Sequence, residues 1–393
     1  MNEFKKIKSF ANSLTRKNID NRSSADVYSV TKYDGFVRSL DYFKKQVFSR
    51  DLSTYKIVKK GEFAYSTIHL DEGAIGLLRE DEALISPMYT VFEVDKSVDI
   101  FYLNHLLSCD LLLNKYALIG QGSVNRRKSV PFSTFSDLEV RIPSLKEQKK
   151  IAEILSEIDK LIESKKVQIE KLMILKRALL NSFISSIDLK YKKFPLSDFV
   201  VNYVGGASLK PSDFNNSGFQ IIPKKAVQLG GKINLGDELL YCSYKFAEEN
   251  SNHIIDYRYV ISTLRDLVPS GPSIGLVGVL EEKGKFILAQ GVYGFLLNED
   301  LDNQFFVQIS NTDWYRRLMR KIMVGSTQVH IRSSEFLKIN LPIPPIKEQK
   351  KLVKILASLD KRISMGKENL IQLKNLKRGL LNDLLSGLQK VKV

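Results

Sequence analysis

A chain of 393 residues with ordinary hydrophobic (44%) and aromatic (10%) content is too long for one ordinary core and fits two domains plus connecting elements. Its 60 Lys and Arg against 44 Asp and Glu leave a formal charge of +16, which points to an anionic partner. Nucleic acid is the commonest such partner, because neutralised phosphates release condensed counterions. The two cysteines, Cys109 and Cys242, each stand alone in an apolar or aromatic neighbourhood, which excludes a disulfide framework or a Cys-based metal site within one domain and fits a reducing cytoplasm.

In chain order, residues 1–19 are broken by charges every few residues and lack the apolar run of a signal peptide, and no later stretch approaches a membrane span. Residues 9–141 are rich in Val, Ile, Tyr, Phe and Gly, with short alternating runs at 55–58 and 61–67 that predict strands. GAIG at Gly73, the aromatic strand YTVF at Tyr89, a helical segment at 101–116 and the glycine turn GQGS at Gly120 follow. Two clusters here combine basic groups with polar or aromatic ones: Lys32, Tyr33, Arg38, Lys44 and Lys45, and, in GQGSVNRRKS, Gln121, Ser123, Asn125, Arg126, Arg127 and Lys128. Such side chains near glycine turns present donors to base edges and phosphates, so these are candidate DNA contacts.

From Ile142 the character changes. The segment that opens IPSLKEQKKI recurs, without a gap, as IPPIKEQKKL from Ile343. Lys146, Glu147 and Gln148 match Lys347, Glu348 and Gln349, Asp159 and Lys160 match Asp360 and Lys361, and LKR recurs at Leu175 and Leu376. Apolar residues at Ile151, Leu155, Ile158, Ile162, Ile169, Leu172, Leu179 and Phe183, and at Leu352, Leu356, Leu359, Ile363, Leu370, Leu373, Leu380 and Leu384, keep alternating steps of three and four, the seam of a coiled coil. Ile154, Leu161 and Leu175 are expected to widen the first stripe. Both stripes break at the same places, Lys165 with Gly366 and Lys176 with Lys377, which predicts two helices packed on each other with matched interruptions.

Between the helices, residues 194–341 repeat the first half's order: PSIG at Pro272, YGFL at Tyr293, a helical segment at 305–323 and VGST at Val324. Candidate DNA contacts in this half are Gln328, His330 and Arg332 after the glycine turn, with Lys224, Lys225, Lys232, Lys245 and Arg258 elsewhere.

The expected architecture is α+β: two mixed, mainly β globular domains at 1–141 and 191–342, and two long antiparallel helices at 142–190 and 343–393 that form a coiled coil with a pseudo-twofold internal repeat. Each helix, at roughly forty residues, would span roughly 60 Å. Similar domains on a rigid twofold spacer match duplex DNA, and because the two differ in detail the half-sites should differ, with an unread gap between them.

The duplicated run of proline-rich strand end into hydrophobic-Lys-Glu-Gln helix start resembles the specificity subunit of a type I restriction-modification enzyme, across essentially the whole length. The resemblance implies two target recognition domains on double-stranded DNA and assembly with two modification (methyltransferase) subunits and, for cleavage, restriction subunits. It also implies no cofactor in this subunit: S-adenosylmethionine, and ATP with Mg for restriction, would belong to the partners. Lys146, Glu147, Gln148, Lys347, Glu348 and Gln349 recur while the neighbouring domains diverge, which marks them as a candidate docking surface; helix capping is the competing explanation. Recognition domains vary in such families, so no contact residue is carried over from it.

Catalytic readings find little support. The sole Pro-Pro pair, Pro344 and Pro345, opens a helix rather than an adenine-methyltransferase loop, and GPSIGLVG at Gly271 misses the dinucleotide spacing. Asp266 with Glu281 and Lys283 is a weak nuclease match, since EEKGK reads as a hairpin turn. His69, His105, His253 and His330 show no ligand spacing. The alternative from another class is a non-catalytic coiled-coil scaffold whose β-rich domains recognise peptides.

Overall fold

Short alternating runs punctuated by glycine give each half of the chain an antiparallel four-stranded sheet. The structure is a computed structural model that describes residues 4–120, 129–236, 238–389 and 391, and the chain falls into two units, residues 1–167 with 367–393 and residues 168–366. In the first unit the strand order is Ala11–Leu14, Tyr89–Val94, Phe63–Ser66, Ile75–Leu77. A hairpin of Tyr28–Thr31 and Gly35–Arg38, which leads into helix α1 (Ser39–Phe43), sits over this sheet where a Cβ on Gly76 would stand 3.1 Å from Gly35 Cα, a tight approach of two backbones. Helices α2 (Ile100–Leu107) and α3 (Asp110–Ile119) bury Tyr102, Leu103, Leu106, Leu112 and Tyr116 against Phe63, Tyr65 and Phe92, and the short α4 (Phe132–Ser136) adds Phe135. Strand Glu139–Arg141, paired with Phe4–Lys6, then delivers the chain to the long helix α5 (Leu145–Lys190).

The second unit repeats this plan with additions. Its sheet runs Val200–Gly205, Val292–Leu297, Val260–Thr263, Val277–Val279. A five-stranded mixed sheet that includes Phe219–Ile222 parallel to Lys285–Leu288, together with α6 (Tyr244–Glu249), has no counterpart of that size among the described residues of the first unit. Helices α7 (Asn303–Ser310), α8 (Asp313–Ile322) and α9 (Ser333–Leu337) then follow, and strand Asn340–Pro342, paired with Lys193–Pro195, leads into α10 (Ile346–Ser386). The segment EEKGK does not close a hairpin: Val277–Val279 pairs with Val260–Thr263, and Lys285–Leu288 pairs in the other sheet, so the turn passes the chain between sheets.

The two long helices are antiparallel, and each contributes to both cores. Ile151, Ala152 and Leu155 of α5 pack with Leu384 and Leu385 of α10 in the first unit. Leu180, Ile184 and Ile187 of α5 pack with Leu352 and Leu356 of α10 in the second. Between these ends Ile158, Ile162, Ile169, Leu359 and Ile363 are buried along the expected seam, whereas Leu161 and Leu175 are exposed, so the stripe is narrower than its apolar residues suggest. The breaks in the seam are contacts. Lys176 Nζ lies 2.7 Å from Asp360 Oδ1, and Lys377 Nζ lies 2.6 Å from Asp159 Oδ1. These pairs are the same pair twice, because Lys176 corresponds to Lys377 and Asp159 to Asp360. At Gly366 a Cβ would stand 3.0 Å from Ile169 Cγ1, so the missing side chain lets the helices approach.

The helix starts are fastened by the same rule. Gln148 is buried; its Oε1 accepts from Asp99 N (2.8 Å) and its Nε2 donates to Ser97 O (3.3 Å) and Pro143 O (2.8 Å). Gln349 is buried likewise; its Oε1 accepts from Asp302 N (2.9 Å) and its Nε2 donates to Asp300 O and Pro344 O. Asp99 and Asp302 are themselves the N-caps of α2 and α7, each accepting from backbone amides of its helix. The arginines of the repeated LKR reach the next helix of each unit: Arg378 bonds Asp110 at the start of α3, and Arg177 bonds Asp313 at the start of α8.

Two outcomes follow. Gln349→Ala leaves an amide and two carbonyls in a buried setting without their partner, and is expected to lower unfolding free energy by about 2–3 kcal/mol in denaturant titrations; an unchanged midpoint would show that the clamp carries no stability. His105 in α2 is buried, and its burial together with the Lys377 ammonium outweighs the Asp159 carboxylate 3.9 Å away, so its pKa lies below the ordinary value. The folded chain therefore binds this proton less readily than the unfolded chain, so stability is full above about pH 6.5 and declines as pH falls below it. Replacement by the residue at the matching position of α7, as His105→Gln, should flatten the fall of Tm between about pH 6.5 and 4.5. An unaltered slope would assign the acid sensitivity to other groups.

Candidate nucleic-acid interface

Four strand ends of the second unit converge on one face. Thr263 Oγ1 donates to Lys224 O, Leu264 N donates to Gly291 O, and Ile331 N donates to Leu264 O, so the segments carrying Lys224, Arg265, Gln290 and His330 are neighbours. Arg265 lies directly opposite His330 in an antiparallel pair, and a Cβ on Gly291 would touch both Arg265 Cβ and Lys224 Cε. Arg332 follows as the residue before α9 and is exposed, as is Gln328 before the strand. Lys224 and Lys225 also line a cleft of ≈ 600 Å³ with Gln228, Asn234 and Gln290, over an apolar floor of Ile221 and Leu235.

Ion pairing separates the candidates. Arg265, Arg320, Lys321 and Arg332 are exposed and have no carboxylate within salt-bridge distance among the described residues. Arg258, by contrast, is held by Asp256 through bonds of 2.7 to 3.1 Å, and that hydrogen-bonded pair holds the Asp256 carboxyl below its usual range. Lys245 stands 3.9 Å from Glu249 one helical turn on. Lys232 lines a separate cleft with Glu281 and Glu282. Asp266, the weak nuclease candidate, is buried and spent on its own loop: its oxygens accept from Val268 N, Ser273 N and Ser273 Oγ. Among the described residues no cluster of His, Cys, Asp or Glu is arranged to hold a metal ion, and no helix is long and apolar enough to cross a membrane.

In the first unit, Tyr33 is 81% exposed at the tip of the 28–38 hairpin, with Lys32 Nζ 5.3 Å from its ring centroid. Lys44 and Lys45 are exposed beyond α1, where Lys44 adopts a left-handed conformation (φ 56°). Arg38 is committed to Asp26 at 2.8 Å and stands 3.8 Å from Asp41. Gln121, Ser123, Asn125, Arg126, Arg127 and Lys128 lie outside the described residues. Beyond them the two halves agree again: Val130 N donates to Thr67 O just as Ile331 N donates to Leu264 O.

Sequence reasoning missed Arg265, Arg320 and Lys321. The signal was present in DWYRRLMRKI, where Arg317, Arg320 and Lys321 share the polar side of one helix while Tyr315 and Met319 are buried. Of the repeated helix-start residues, Lys146 and Lys347 are exposed. Glu147 pairs with the buried Arg141 at 2.7 Å, and Glu348 accepts from Tyr191 Oη at 2.8 Å. Gln148 and Gln349 are internal, so their recurrence has a structural explanation in the clamp.

Comparison with known proteins agrees with this plan. The chain is 26% identical over 325 residues to the type I restriction enzyme MjaVIII specificity subunit of Methanocaldococcus jannaschii, covering 79% of this chain and 75% of that relative. The S subunit of a type I restriction-modification system from M. genitalium shares its fold, with a TM-score of 0.54 at 15% identity over 97% of this chain and 95% of that one. A chain from a structure of the assembly and conformational transition of the type I R-M system aligns with a TM-score of 0.58 at 13% identity, over 97% of both. The profile of the family described as Type I restriction modification DNA specificity domain matches residues 2–172 and again 189–375. With the family profile met once in each half, the chain belongs to the type I restriction-modification specificity subunits, the non-catalytic, DNA-binding members of those enzymes.

Proposed function

We propose that each globular half reads one part of an asymmetric, divided DNA site, that the helix pair sets the unread gap, and that the two helix starts dock two copies of a modification subunit. The observation that carries this reading is the duplicated set of fastenings: Gln148 with Gln349, Lys377–Asp159 with Lys176–Asp360, and Arg378–Asp110 with Arg177–Asp313. Each recognition domain is held to the helices by the same chemistry while the residues it exposes differ, as two unlike half-sites on a common spacer require. A helix of 46 residues, as α5 is, is about 69 Å long at the usual rise.

For docking, the buried glutamines leave Lys146 and Lys347 as the accessible part of the repeated Lys-Glu-Gln. To these the geometry adds Leu175 and Leu376, identical in the two copies, 48% and 53% exposed, and used by neither core. A solvent-exposed leucine preserved in both copies fits an apolar partner surface presented twice.

Methylome sequencing of cells expressing this chain with its modification subunit should show one methylated adenine in each part of a bipartite motif, and exchange of residues 1–141 should change one part only. A continuous motif, or a change in both parts, would overturn the division of labour. Within the second half, Arg265→Ala and Arg332→Ala in the assembled complex should each weaken duplex binding and reduce the slope of log K against log salt by about one. Arg258→Ala, whose guanidinium is already occupied by Asp256, should leave the slope unchanged; anisotropy titrations at several salt concentrations separate the two classes.

A further inference from the structure

The loop between Asp266 and Ile274 spends two charged groups on holding an exposed apolar tip. Leu267 is 56% exposed and Val268 48% exposed. Beneath them, Asp266 accepts from the amides of Val268 and Ser273 and from Ser273 Oγ; burial alone would raise its pKa, but these bonds outweigh it and hold the carboxyl below the usual range. From the other side Arg316 of α8, itself half-buried, donates to the carbonyls of Gly271, Pro272 and Ile274. Gly271, at φ 55°, sits where a Cβ would collide with Ile274, Met323 and Val329. The loop is therefore fixed at both ends to α8 and to the strand that carries His330.

Taking a guanidinium and a carboxylate out of water is costly unless hydrogen bonds compensate, and here Asp266 accepts three bonds and Arg316 donates three. That expense is unneeded to park two aliphatic side chains in water, where a slack loop would fold them back. It is what an apolar wedge needs: unstacking a base step costs a few kcal/mol, and a wedge that yields under that load does not unstack anything. The surroundings supply the sign of charge that duplex DNA requires. Arg265 immediately precedes the loop, His330 lies across from it, and Arg320 and Lys321 stand in the last turn of α8, the helix whose Arg316 holds the loop.

We infer that Leu267 and Val268 form a rigid aliphatic wedge by which the second recognition domain enters a base step of its half-site and unstacks it. This rests on the DNA-recognition reading above and assigns that interface a deforming element. The first half lacks it: the corresponding turn, residues 68–72, carries exposed Asp71 and Glu72 and is closed by a His69–Glu72 bond of 2.9 Å. In place of Arg316, Leu113 of α3 packs beneath Gly73.

The test uses the complete complex with its modification subunits and duplexes of the motif established by methylome sequencing, with 2-aminopurine placed at each step of the two half-sites in turn. Fluorescence should rise on binding at one step of the second half-site and at none of the first. Leu267→Ser with Val268→Ser, both surface changes, should abolish the rise and weaken binding by about tenfold, the equivalent of losing roughly 1.4 kcal/mol of wedge contact. Tight binding with 2-aminopurine quenched at every step overturns the wedge while leaving DNA recognition intact. So does a rise that persists in the double variant, whereas absence of any duplex binding overturns both.

Discussion

The buried amide at the start of each long helix is the constraint on which the rest of this structure depends. A glutamine side chain offers two donors and an acceptor; Gln148 and Gln349 each place the acceptor and one donor on backbone groups of a loop that ends in a helix N-cap, and the other donor on a proline carbonyl just before the long helix. A long helix that turned about its axis, or slid by a residue, would strand those groups away from water at a cost of roughly 1–3 kcal/mol each. The apolar seam alone does not impose such a restriction, because leucine and isoleucine tolerate small shifts in register. The hydrophobic stripe thus drives the helices together, and the amide decides the angle at which each domain is held to them.

The same separation of roles explains where the two halves agree and where they differ. Most of the groups that fasten a domain to the helices recur: the buried glutamine, the Lys–Asp pair across the seam and the Arg–Asp bond to the next helix, although Glu147 is held by Arg141 where Glu348 is held by Tyr191. Groups elsewhere on the domains differ more. Arg316 and Leu113 sit at equivalent positions in α8 and α3, one bonded to three carbonyls and the other in van der Waals contact beneath a glycine. The second half also carries a mixed five-stranded sheet and two clefts, while the first presents a hairpin with an exposed tyrosine at its tip.

Much of the fold was legible because it is written in period and repetition. The seven-residue rhythm of Ile151, Leu155, Ile158 and Ile162 survives in the burial of all four, and the order of glycine turn, aromatic strand and helix recurs in both halves. Leu161 and Leu175 were misplaced because a hydrophobic residue beside a seam looks the same in sequence whether it is buried or exposed. The interface was less legible still. Net charge points to a class of ligand, but Arg258 and Arg265 are alike in sequence, and only the fold shows that Asp256 holds the first while the second has no carboxylate within salt-bridge distance among the described residues. A turn such as EEKGK is read locally as a hairpin, yet strand partnering is decided by segments far away in the chain.

Identity between two copies within one chain has two sources, and the structure distinguishes them physically. Where the repeated residue has a repeated internal partner, as Lys176 with Asp360 and Lys377 with Asp159, the identity is accounted for by the helix pair itself. Such half-exposed ion pairs contribute little energy individually, about 0–1 kcal/mol, but each sets the lysine that breaks one apolar stripe against an aspartate of the other helix. Leu175 and Leu376, each just before one of those lysines, are half-exposed and belong to neither core, so the packing of the helices on the domains does not account for their recurrence. Adjacent positions in one tripeptide therefore answer to different constraints: lysine and arginine are held by carboxylates of the chain itself, while the leucine beside them is left half-exposed.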